Sequence, residues 1–172
     1  MISYLCFVGQ VSSQVRQTVT AGVTFEIKHS WGAPAHGSFD GFFGSIVFDP
    51  HDLSRASIRA SIDAQSVNTG LKIRDDILRN SEYFNTDRFP KISISSTKIE
   101  KSIKKNEYFG YFGLTIKNTT KNIKIPFTFE QMNTKGIFRS TFIINRLDFK
   151  IGRKSILLDN TASILITIIT QQ

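Results

Sequence analysis

The sequence predicts an all-β protein, about eight antiparallel strands in a closed barrel or a sandwich, with one short helix inserted near residues 71–80. Three observations predict it. Roughly eight segments alternate apolar and polar residues with period two, the mark of half-buried antiparallel strands. Short turns join them, which points to a closed barrel or a sandwich. A single stretch, LKIRDDILRN, carries helical spacing instead.

The elements follow in order. VTFEIKH places Val23, Phe25 and Ile27 on one face of the first strand. GSFDGFFGSIVFD is an apolar strand broken by Gly37, Gly41 and Gly44, where bends or bulges let a sheet curl. ASIRASID sets Ile58, Ala60 and Ile62 against Ser57, Arg59, Ser61 and Asp63.

In the helical stretch, Leu71, Arg74 and Leu78 recur at three- to four-residue spacing, as do Ile73 and Ile77. This gives an apolar and a charged side. SVNTG before it supplies turn and capping chemistry, and FNTDRFP after it forces extended backbone at Phe89, the residue before Pro90. Helix and turn together read as an insertion that caps an open end of the barrel. The remaining strands are KISISSTKI, EYFGYFGLTIK, NIKIPFTFE, GIFRSTFIINR and SILITIIT. Ala60, Gly110 and Gly113 are small residues that either leave room for a ligand or serve curvature. A barrel of this size is filled by side chains or holds one small ligand, and the pattern leaves both open.

Composition narrows the function classes. Hydrophobic residues make up 40% and charged residues 21%, as in ordinary globular domains. The 15 phenylalanines against 4 tyrosines and 1 tryptophan suit a core or an apolar cavity better than a polar active site. One cysteine, Cys6, excludes an internal disulfide framework and a Cys-based zinc site. His29, His36 and His51 are too scattered to suggest a metal centre. No paired-carboxylate pattern, phosphate-cradling glycine loop or nucleophile elbow is present, so no catalytic residue, metal or cofactor is expected.

The net charge of +8 attracts anions such as nucleic acid, anionic lipid headgroups or phosphorylated ligands, or serves solubility alone. Its nearest clusters are Lys98, Lys101, Lys104 and Lys105, then Arg146, Lys150, Arg153 and Lys154. Neither interleaves aromatics as a single-strand platform does, so nucleic acid is not expected. At the N-terminus a short apolar run, Tyr4–Val8, precedes small and polar residues up to Ser13, with no basic residue before Arg16. Residues 1–14 are read as a truncated signal-peptide remnant or N-terminal extension, and 15–172 as one barrel domain. The expected location is periplasmic or secreted.

The motifs and their order resemble the YceI-like family of lipocalin-like, isoprenoid-binding barrel proteins. Phe25, Ile27 and His29 open the pattern, followed by Gly37, Phe39, Phe42, Gly44, Ile46, Phe48 and Asp49. Ile62, Asp63, Ser66, Val67, Thr69 and Gly70 come next, with Arg74 and Asp75. Leu78, Phe84, Phe89, Pro90 and Ser95–Thr97 follow, then Leu114–Lys117, and finally Asn145, Arg146, Asp148, Phe149 and Gly152. The resemblance runs from about residue 23 to the C-terminus. Asn118 and Lys150 stand where glycine is usual, and the linker SWGAPAHG is unusual.

The resemblance implies an extended eight-stranded antiparallel lipocalin-like barrel with a helix near one end, and a carrier rather than an enzyme. A polyprenyl phosphate, a quinone or a related lipid would lie in an elongated apolar cavity. Its implied wall comprises Phe39, Phe43, Ile58 and Ile62, with Phe84, Phe112, Leu114 and Phe149. A polar mouth would comprise Arg74, Asp75, Arg146 and Asp148. Each pair also reads as structural: a surface ion pair or cap on the helix, and a salt bridge pinning the last hairpin. His29 reads more simply as a core or rim histidine. The resemblance also admits a homodimer stacked at the barrel mouths. A stress- or biogenesis-linked interaction barrel with a filled core is the alternative function.

Overall fold

The computed structural model describes residues 15–171. Strands β1 (Val15–His29), β2 (Ala35–Phe39), β3 (Phe43–Val47) and β4 (Ser57–Asp63) lead to helix α1 (Lys72–Arg79). Then come β5 (Lys91–Lys101), β6 (Glu107–Ile116), β7 (Thr119–Met132), β8 (Lys135–Asn145) and β9 (Leu158–Gln171). Two 3-10 turns, Ala64–Ser66 and Arg146–Phe149, complete the set. All neighbours pair antiparallel, and β1 closes the sheet on β9. Cys6 and the apolar run before Ser13 lie outside the described residues.

Nine strand segments make an eight-stranded barrel because β2 and β3 are one strand with a break. Phe39 faces Val23 and Val47 faces Val15, so the register against β1 is the same on both sides. The break falls at residues 40–42, where Gly41 has φ +67° and a Cβ would stand 2.8 Å from the Asp63 Cβ. Only glycine fits both demands there. Beyond the break β2 does not reach β4. The chain after β4 fills the gap: Ser38 pairs with Asn68, the Ser66 hydroxyl accepts from the Asp40 N–H at 2.7 Å, and the Asp63 N–H donates to the Asp40 carbonyl at 3.0 Å. The helix-bearing insertion thus lies against the side of the barrel where the wall is incomplete.

Two of the three register shifts in the sheet tune which side chains turn inward. In β1, Thr18 faces Thr170 and Thr20 faces Ile169, leaving Val19 extra. Arg16 and Thr18 point in before it, and Ala21, Val23 and Phe25 after it. The parity change and the polar residues hide the first turn of this strand, so the pattern from residue 23 shows only its second half. In β5, Thr97 is the extra residue between Ser96 and Lys98. It moves Ile99 onto the face that Ile92 and Ile94 share.

The helix differs from expectation. It starts one residue later and ends one earlier than the periodic stretch, and its cap residue Leu71 makes no side-chain cap bond. Asp75 in its first turn instead accepts from the Thr69 N–H at 2.8 Å and from the Thr69 hydroxyl. Polar groups therefore face the insertion loop, and Ile73 and Ile77 face solvent. Leu78 alone of the predicted apolar side reaches the cavity wall.

Two buried clusters fill the barrel's ends. One surrounds Phe48, with Tyr108, Phe127, Phe129 and Phe138 at ring-centroid distances of 4.9–5.8 Å. Arg16 lies over Phe129 at 4.7 Å and donates to the Phe48 carbonyl and to Gln131. The other joins Phe25, Phe39, Val67, Phe84, Phe149 and Ile151.

Candidate functional site

Inward residues of every barrel strand surround a cavity of about 210 Å³ between these clusters. On β9 its wall runs from Leu158 to Ile168, which at about 3.4 Å per residue is roughly 34 Å along the strand. The insertion contributes Leu78, Tyr83 and Phe84. No polar atom is presented on the accessible wall. Such a surface recognises hydrocarbon by burial and shape. Among the described residues, no group of three or more His, Cys, Asp and Glu side chains is placed to hold a metal ion, and no helix is long and apolar enough to cross a membrane.

Phe39, Ile58, Ile62, Phe84, Phe112 and Leu114 all lie on this wall. Phe43 does not: it is 78% exposed on the outer face. Its neighbour Phe42 takes the inward position. The reason is parity, since Phe42, Gly44, Ile46 and Phe48 share one face of the strand and Phe43 the other. Phe149 also departs from expectation. It is buried in the second cluster, in the 3-10 turn that follows β8, and is not part of the cavity wall.

The four residues read as a polar mouth do not form one. The Arg74 guanidinium donates to the Thr69 hydroxyl and carbonyl, both at 2.8 Å, and Asp75 is buried against the same residue. They fix the helix to its loop and make no ion pair with each other. Arg146 is 2% exposed, donates to the carbonyls of Asp159 at 2.9 Å and Ile151 at 2.8 Å, and borders the cavity. Its Nη2 has no partner and is enclosed. Asp148 is exposed and makes no ion pair with Arg146, so the last hairpin is pinned by carbonyl contacts rather than a salt bridge.

Gly110 makes room for protein rather than for a ligand: a Cβ there would meet the Phe112 ring at 2.1 Å. Gly113 lies on the opposite face of β6, beside Thr120. Ala60 does line the cavity. Ile164, Ile166, Ile168 and Phe142 on β8 and β9 were legible as inward by alternation. Tyr83, Ile151 and Leu158 come from loops or a strand start, where no period marks them. Around Ile151, Lys117 donates to the Lys150 carbonyl at 3.0 Å, and burial holds its pKa below the ordinary lysine value, helped by Lys150.

A closed antiparallel barrel with a wholly apolar interior cavity and a helix-bearing insertion against its broken wall defines an apolar-cavity barrel of the lipocalin-like kind. The chain belongs to the YceI-like domain family, whose model matches residues 14–169. It is 31% identical over 105 residues to a UPF0312 protein of Pectobacterium carotovorum, covering 61% of this chain and 54% of that one. It is 35% identical over 100 residues to one of Staphylococcus aureus, covering 58% and 55%. The chain thus spans about half the length of these relatives. Among solved structures, Burkholderia cenocepacia BcnA matches with TM-score 0.82 and 23% identity over 87% of this chain and 95% of that one. A polyisoprenoid-binding domain from Saccharophagus degradans matches with TM-score 0.72 and 12% identity over 91% and 97%. At these identities the structural likenesses speak to the fold.

Proposed function

We propose that the protein binds and carries a long apolar ligand, a polyisoprenoid, an isoprenoid quinone or a related lipid, without catalysing a reaction on it. The observation that carries this reading is the elongated cavity with no polar atom on its wall. Each methylene-sized group moved from water into such a wall is worth about 0.8 kcal/mol, so a chain of several units is held without any head-group contact. The Saccharophagus degradans domain, described as polyisoprenoid-binding, supports the ligand class. The ligand's polar end stays outside the wall, and the protein works in the periplasm or as a secreted carrier.

Organic extraction of protein purified without added lipid, followed by mass analysis of the extract, tests this. The expected result is close to one isoprenoid or comparable lipid per chain. An empty extract, with no uptake of added quinone or polyprenyl alcohol, would favour a filled interaction barrel instead. The packing of four aromatic rings around Phe48 is the feature that would support that second reading.

A further inference from the structure

Trp31 is the only tryptophan of the chain, and it is 83% exposed in the turn between β1 and β2. A large amphipathic ring left in water by an otherwise Phe-rich protein marks a contact surface better than a packing position. Two further large apolar side chains stand exposed in a neighbouring loop. Ile156 is 89% exposed and Leu157 is 54% exposed, in the loop that leads into β9. The two loops are joined: the Ser30 N–H donates to the Leu157 carbonyl at 2.9 Å, and the Ser30 hydroxyl to the Ile156 carbonyl at 2.8 Å. Three exposed apolar side chains therefore share one end of the barrel.

The same loops are basic. Residues 28–36 and 149–158 contain Lys28, Lys150, Arg153 and Lys154 and no carboxylate. Lys117 joins them through the Lys150 carbonyl. The acidic neighbours are Glu82, 3.3 Å from Arg153, Glu26, 3.6 Å from His36, and Asp148 and Asp159 at the ends of the second loop, Asp159 within reach of Lys28.

We propose that these paired loops dock the protein on an anionic lipid bilayer. Trp31, Ile156 and Leu157 enter the boundary between headgroups and acyl chains, where indole rings are favoured, and the surrounding cations meet the lipid phosphates. A second copy of this chain fits the surface less well, because it would set one cationic ring against another. Ile151 and Leu158 flank the docking loop and line the cavity, so docking turns that end of the cavity toward the lipid. The docking itself does not depend on what the cavity holds.

The lone tryptophan makes the test direct. Its emission is recorded with vesicles of phosphatidylcholine mixed with phosphatidylglycerol and with vesicles of phosphatidylcholine alone, with flotation measured in parallel. The expected result is a blue shift and co-flotation with the anionic vesicles only. Arg153→Glu with Lys154→Glu should weaken the partitioning about tenfold or more. Ile156→Ser with Leu157→Ser should remove the blue shift while the circular dichroism and melting temperature stay unchanged. Absence of a shift, equal binding to both vesicles, or a shift that grows with protein concentration without vesicles would overturn the proposal, the last by assigning the surface to self-association.

Discussion

At the scale of the residue, one position on a strand decides between wall and solvent. Phe42 and Phe43 are chemically identical and adjacent, yet only Phe42 faces the cavity. Phe42→Ser should therefore lower ligand uptake and stability together, whereas Phe43→Ser should leave both nearly unchanged, within about 0.5 kcal/mol. Denaturant melts and ligand titrations of the two variants separate them. Arg146 illustrates a different failure of sequence reading. Its motif was legible, but its chemistry is that of a buried clamp on two carbonyls. Removing the guanidinium leaves those acceptors in an apolar setting, so Arg146→Met should cost about 2–4 kcal/mol in a urea melt. A loss of ligand affinity with stability intact would instead restore a head-group role. Gly110→Ala should also destabilise, by about 1–3 kcal/mol, since the Phe112 ring already occupies the space a methyl would take.

Among the elements, alternation made most of the barrel readable and bulges hid the rest. β6 and β7 keep one parity throughout, and the sequence shows their inner faces without ambiguity. β1 changes parity at Val19 and carries Arg16 and Thr18 inward, so its first half looks like no strand at all. The helix was legible in position but not in orientation, because its inner face is set by hydrogen bonds to Thr69, Gln65 and Val67 rather than by apolar burial. Asp76 on the outer side bonds Lys72 at 2.7 Å and Arg79 at 3.1 Å, and the Lys72 hydrogen bond first holds its carboxyl below the ordinary value of 3.8. A lowered carboxyl pKa contributes stability above the unfolded value and loses it as pH falls through the folded one. Local order in α1 should therefore weaken on acidification from about pH 4 downward, and Asp76→Asn should remove that part of the pH dependence. Amide exchange of residues 72–79 across this range is the measurement.

For the whole molecule, the two ends are unlike. One is sealed by aromatic packing around Phe48, and the other is built from loops, the insertion and the Arg146 turn. Between them runs a wall of hydrocarbon. Such a division suits a container filled from one end, and it explains why a single charged helix interrupts an all-β chain: the insertion that carries it covers the place where β2 parts from β4. The closed barrel and most of its inner face follow from period-two patterning, while the cavity's loop-borne lining and the exposed tip at Trp31 depend on tertiary contacts that no local period encodes. Ala60 is the position to fill, because it is a small residue on the cavity wall. Native mass spectrometry of the wild-type protein beside Ala60→Phe, both purified without added lipid, tests whether the barrel cavity holds the ligand. A carrier should show a bound mass in isoprene-unit steps in the wild type and lose it in the variant; no bound mass in either, or the same bound mass in both, would contradict a ligand held in the barrel cavity.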